Sequence, residues 1–288
     1  MHFLLIRFFL ISALFLGLLR SAYGQARHGL EGIIVETYYI ADEQDCGEDI
    51  GNGDPILSGS VTYRIYIDMA AGYELQMIYG LTGHVFEIFT TTKFHNAQFA
   101  GRGIGADMSG SLLRRNTMAL DSWITIGSAS NEHLGVLKIN DPDGSILGRE
   151  NNDGGTHQIV GGLLANTHPE MGLPLFEADG LMKYDAIQTP RYTPWNLTNW
   201  RIFDNKDNDG KFVWDDSALA VLEGVAGPTS ENQVLIAQIT TDGELTYKLN
   251  FQLIAPHGGV ERFFAENPAP DEFTHPDLIR ALPTSSTH

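Results

Sequence analysis

The sequence predicts an all-β protein, an antiparallel β-sandwich of jelly-roll type with long decorating loops and few short helices. Three observations carry that expectation. Short β-branched and aromatic runs recur along the chain, apolar residues alternate inside them, and Gly, Asn and Asp punctuate the gaps.

The elements follow in order. Residues 1–24 begin with an early positive charge at Arg7, continue through an apolar run over residues 8–19 and end on the small residues Ala22 and Gly24. That is the pattern of a signal peptide cleaved after Gly24, and the run is shorter than the roughly 20 apolar residues a membrane span needs. Residues 25–288 then read as one exported domain, with a loop-rich tail from about residue 265. Within it, residues 32–40 (GIIVETYYI) form the first strand. Val61–Met69 alternates cleanly, with Val61, Tyr63, Ile65, Ile67 and Met69 on one face and Thr62, Arg64, Tyr66 and Asp68 on the other. Residues 74–79 and 85–92 continue a meander, and residues 122–127 and 134–139 are shorter strands. Residues 149–194 have more Gly, Asn and Pro and less periodicity, as long loops at one end of a sandwich would. Residues 233–240 and 244–254 flank Thr241-Asp242-Gly243, a favoured hairpin turn. Helical expectations are two: a single turn over residues 217–222 and a short helix over residues 276–282 capped by Thr274 or His275. Val61–Met69 is also a candidate exposed edge for pairing with a neighbouring chain.

Composition bounds the partners. The chain carries 36 acidic and 18 basic residues, a net charge of −18. Removing residues 1–24 takes away Arg7 and Arg20 but no acid, so the charge becomes −18 − 2 = −20. Such a charge repels nucleic acid and anionic membrane surfaces. The single cysteine, Cys46, leaves no intramolecular disulfide to form, and its acidic neighbours in DEQDCGED raise the thiol pKa, which argues against a nucleophile.

Five phrases resemble an uncharacterised secreted bacterial β-domain family: GSVTYRIYIDMAAGYELQMIYG, EIFTTTKFHN, LDSWITIG, LGVLKINDPDGSILGRENNDGG and NQVLIAQITTDGELTYKLNFQLIAPHGG. The family's TYRIY strand, TTT-F strand end and closing LIAQITTDG hairpin occur in the same order over residues 30–273. Its members occur singly or in tandem in large surface proteins. The resemblance implies an exported β-domain and carries no catalytic residues.

Three constellations remain as binding candidates. Residues 205–216 (NKDNDGKFVWDD) offer oxygen ligands at Asn205, Asp207, Asp209 and Asp216, the Lys211 carbonyl, and Gly210 at the sixth place, the spacing of a calcium loop. Asn and Asp replace the preferred first Asp and last Glu, and an acidic turn explains the same residues. A second acidic turn holds Asn140, Asp141, Asp143, Glu150 and Asp153, with the same two readings. Tyr192, Trp195 and Trp200 cluster near acidic loops, where they either stack on sugar rings or plug the core. The scattered histidines match no zinc spacing, no G-x-S-x-G elbow occurs, and residues 101–105 (GRGIG) lack the Lys-Ser/Thr of a phosphate loop. The expected function is therefore a non-catalytic extracellular or cell-surface protein with a structural, adhesive or binding role. A glycan or a surface protein is its partner, and calcium is a candidate stabiliser. The alternative is a carbohydrate-binding or carbohydrate-active secreted protein.

Overall fold

The computed structural model describes residues 28–48, 56–97, 102–114, 116–141, 144–145, 147, 164, 166–184, 190–197, 202–203 and 207–283. The segment read as a signal peptide lies outside them. The chain forms β1 (Leu30–Ile40), α1 (Glu43–Glu48), β2 (Val61–Met69), β3 (Glu74–Gly80), β4 (Phe86–Thr90), β5 (Trp123–Ile124), β6 (His133–Gly135) and β7 (Leu181–Lys183). It continues with β8 (Tyr192–Trp195), β9 (Lys211–Trp214), β10 (Ser217–Val225), β11 (Gln233–Thr241), β12 (Leu245–Lys248), β13 (Phe251–Ile254), β14 (Val260–Phe263) and β15 (Ile279–Leu282). The pairing between these strands is antiparallel, so the all-β sandwich predicted from the sequence is the fold. Among the described residues no helix is long and apolar enough to cross a membrane.

One layer is the sheet β1-β2-β11-β5. The opposing layer consists of β14-β13-β3-β10-β8 and β15-β12-β4-β9. In the first of these the central order is β13-β3-β10, and in the second it is β12-β4-β9. Each pair, β3 with β4, β9 with β10 and β12 with β13, is joined by a short connection, so three long strands run through both halves of one creased sheet. Gly80 lies at the crease, where a Cβ would stand 1.9 Å from the Trp214 carbonyl oxygen; only glycine lets the two strands approach this closely. Asn250 fastens the crease further, its Nδ2 donating to His84 O at 2.9 Å. A fourth, two-stranded sheet pairs β6 with β7. Apolar side chains from the three larger sheets, among them Ile65, Ile67, Leu75, Ile78, Phe86, Ile88, Leu219, Leu235 and Phe251, share one core.

Four sequence expectations are corrected. Residues 217–222 belong to strand β10, whose Ala218, Leu219 and Ala220 pair with β3 on one side and β8 on the other. The end of the chain forms only a 3-10 turn over Pro276–Leu278, with the His275 side chain accepting from Asp277 N, before β15 begins. Thr241-Asp242-Gly243 does not close a hairpin: β11 pairs with β2 and β5, whereas β12 pairs with β4 and β15. The turn carries the chain between layers, fastened by the Thr241 hydroxyl accepting from Gly243 N and the Thr91 hydroxyl accepting from Glu244 N.

Finally, β2 is not an edge. It lies between β1 and β11, and its polar face is covered by residues 136–141 and 166–184. Arg64 Nε donates to Gln238 Oε1 at 2.9 Å, Nη1 donates to Gly180 O at 3.0 Å, and the guanidinium carbon lies 3.5 Å from the centre of the Tyr38 ring. Tyr66 donates to Val136 O, and Lys138 Nζ donates to the carbonyls of Thr37, Tyr38 and Met171. These described parts of the middle segment thus cover one sheet face, and their polar atoms satisfy those of β1 and β2.

Candidate functional site

The calcium-loop candidate is spread along a strand. Asn205 lies outside the described residues. Asn208 fastens the loop: its Oδ1 accepts from Phe94 N and Gly210 N, and its Nδ2 donates to Phe94 O. Gly210 has φ +70°, and a Cβ there would meet Thr92 O at 2.3 Å. Asp209 Oδ1 accepts from Lys211 N, the residue that opens the extended run of β9. Asp216 stands beyond the far end of that strand, its carboxylate accepting from Asn196 Nδ2. A calcium loop curls so that its sixth-to-twelfth positions return to the ion. Here they run straight, so Asp209 and Asp216 do not share a cradle. Among the described residues no group of three or more His, Cys, Asp or Glu side chains is arranged to hold a metal.

In the other acidic turn Asp141 is likewise spent on the backbone. Asp141 Oδ1 accepts from Gly144 N, and Oδ2 accepts from Asp179 N and Gly180 N. Asp143, Glu150 and Asp153 lie outside the described residues. Cys46 donates its thiol hydrogen to Asp42 O, and burial, then Asp45, raises its pKa.

The aromatic candidates part company. Trp200 lies outside the described residues. Tyr192 points inward: its hydroxyl meets Ile126 O at 2.9 Å and Ser128 Oγ at 2.6 Å, and burial raises the phenol's pKa. Trp195 is three residues on, across the pleat, and points outward with 68% of its surface exposed. Its place is fixed from the next residue. Asn196 Nδ2 donates to Asp216 O at 2.8 Å, and Ser217 Oγ donates to Asn196 O at 2.6 Å, which ties the end of β8 to the start of β10.

Trp195 forms one wall of a groove of about 580 Å³ on the outer face of β14-β13-β3-β10-β8. Strand register explains its floor. Ala218 is the partner of both Trp195 and Tyr79, and Ala220 is the partner of both Thr193 and Met77. Two alanines on one outward stripe leave a trough where bulkier residues would have filled it. Gln252 pairs with Met77 on one side and Arg262 on the other, and Arg262 Nε donates to Gln252 Oε1 at 3.1 Å. Phe264 closes the opposite wall, meeting Tyr79 edge to face with centroids 5.5 Å apart. Tyr79, Ala218 and Phe264 form a small apolar cluster separate from the main core.

The Tyr79 hydroxyl is the polar anomaly here. The residue is 2% exposed and the hydroxyl is without a hydrogen-bond partner. Leaving such a group buried costs about 1–3 kcal/mol. Burial raises the phenol's pKa, with Arg262 opposing and Glu272 adding to the rise, so the hydroxyl lies within electrostatic reach of two groove residues. Sequence reading found Trp195 and Asp216 but not this assembly. The spaced alanines of SALAV were the available signal, hidden because the segment reads equally as a helical turn.

No protein-family model, curated protein or solved structure matches the chain.

Proposed function

We propose that this is a non-catalytic, exported β-sandwich with an adhesive or structural role at a cell surface, and that its ligand docks in the groove beside Trp195. The observation that carries the reading is a large exposed indole beside an alanine floor, in the same groove as a buried hydroxyl that lacks a partner. Exposed aromatic walls with a few convergent polar groups mark binding sites. The acidic composition and the secretory pattern of residues 1–24 support an extracellular setting. The test is adhesion of the protein, from residue 25 onward, to intact cells and matrix-coated surfaces. Trp195→Ala is expected to lower retention at least about tenfold; undiminished retention would count against the groove.

A second reading, a carbohydrate-active enzyme, is favoured by one observation: Asp216 and Glu272 border the same groove. Paired carboxylates across a bound sugar are the requirement for glycoside hydrolysis. Reducing-end release from polysaccharides separates an enzyme from a binder.

A further inference from the structure

We propose that the groove takes an uncharged pyranose glycan, one ring of which stacks on Trp195 while a neighbouring hydroxyl group hydrogen-bonds the Tyr79 phenol. This rests on the reading that the groove is the ligand site. A sheet face offers a ligand mainly its side chains. At the floor, backbone donors and acceptors are paired in ladders on both sides of β3, β10 and β13, so an extended peptide lying across these strands has main-chain partners only at the sheet edges β8 and β14. What faces outward is side chains alone: an indole, methyl groups, an amide, a guanidinium and carboxylates.

An alkyl chain would satisfy the methyl floor but strand the charges of Arg262, Asp216 and Glu272. A sugar brings both halves. Its C–H face covers the indole and the alanines, and its ring of hydroxyls can donate to carboxylates and accept from Arg262 and Gln252. Charge decides between sugar types: one arginine stands against two carboxylates at the groove, so a uronate or sulfated glycan meets net repulsion. Arg262 is exposed, held by one hydrogen bond to Gln252 and within electrostatic reach of the Tyr79 phenol, so a ligand that displaces its side chain gains an approach toward that hydroxyl.

The Tyr79 hydroxyl gives this proposal a signature that packing alone would not produce. Removing an unpartnered buried hydroxyl relieves the folded protein, and removing a ligand contact weakens binding. Tyr79→Phe should therefore melt at the same or a higher temperature than the parent, yet bind at least about fivefold more weakly.

The experiment uses the chain from residue 25 onward on immobilised gluco-, manno-, galacto- and xylo-configured oligosaccharides, with uronate-containing oligosaccharides alongside. The expected result is binding to a neutral oligosaccharide, lost at least about tenfold in Trp195→Ala and weakened in a fully folded Tyr79→Phe. Binding confined to the uronates, or a Tyr79→Phe variant that binds neutral glycans as tightly as the parent, overturns it. Absence of all glycan binding together with Trp195-dependent adhesion to a purified surface protein also overturns it, and leaves the groove intact as a protein-binding site. If neither glycan binding nor adhesion depends on Trp195, both readings fall.

Discussion

Ala218 stands directly opposite Trp195 across the β8–β10 ladder, so the smallest side chain with a Cβ faces the most exposed aromatic of the outer sheet. Ala220 repeats the arrangement two residues on, opposite Thr193. Ala220→Leu should fill the trough from its floor. Ala220 is buried at the floor of the trough, so the added methylenes cost about 1–3 kcal/mol; thermal melting should fall modestly in a protein that stays folded, while ligand retention falls at least about tenfold. Melting and adhesion measured on the same preparation check both halves.

The Arg64 guanidinium is buried against Tyr38, Gln238 and Gly180, with the buried Glu36 carboxyl within electrostatic reach. Arg64→Ala removes the positive partner and leaves the Glu36 carboxyl, Gln238 and the Gly180 carbonyl buried without it. Urea unfolding should show a loss of about 3–5 kcal/mol. A loss below about 1 kcal/mol would mean that the cover over β2 is held by other contacts.

Asp45 supplies a pH dependence. Burial raises its carboxyl from 3.8 to about 7, although the Asp42 amide and the Tyr39 hydroxyl both donate to it. Between about pH 4 and pH 7 the folded protein holds a proton that the unfolded chain releases, so stability rises as pH falls through that window. Below about pH 4 the gain is complete; above about pH 7 both states are ionised and the folded state bears the full burial cost. Asp45→Asn should flatten this part of the profile. The difference in melting temperature between parent and variant, compared at about pH 5 and about pH 8, isolates Asp45 from other carboxyls.

For the 205–216 loop, the fastening by Asn208 and the extended run of β9 predict that millimolar calcium leaves the melting temperature unchanged, with or without chelator. A calcium-dependent rise of several degrees would place an ion there despite the separation of Asp209 from Asp216.

What could be read from the chain, and what could not, divides along the range of the forces involved. Val61–Met69 was legible because alternation is local, yet its burial on both faces depends on Gly180 and Val136, more than 60 residues away in sequence. The Asp242-Gly243 turn was legible as a turn; its role as a corner was not, because threonines at 90–92 decide where the chain goes next. Residues 217–222 looked helical because SALAVL has no strong strand mark, and pairing with β3 and β8 overrode propensity. At the groove, Trp195 was visible as an aromatic, but its partners Tyr79, Ala218, Gln252 and Arg262 come from four other strands and meet only through register.

The most direct test is chemical-shift mapping of isotopically labelled protein titrated with the tightest-binding neutral oligosaccharide. The account predicts shifts concentrated on the Trp195 indole N–H, Ala218, Ala220, Gln252 and the Tyr79 ring, with the four-stranded face carrying Arg64 unmoved. Shifts centred instead on the separate cleft around Thr92, Asp209 and Asp242, or no residue-specific shifts at saturating ligand, would contradict it.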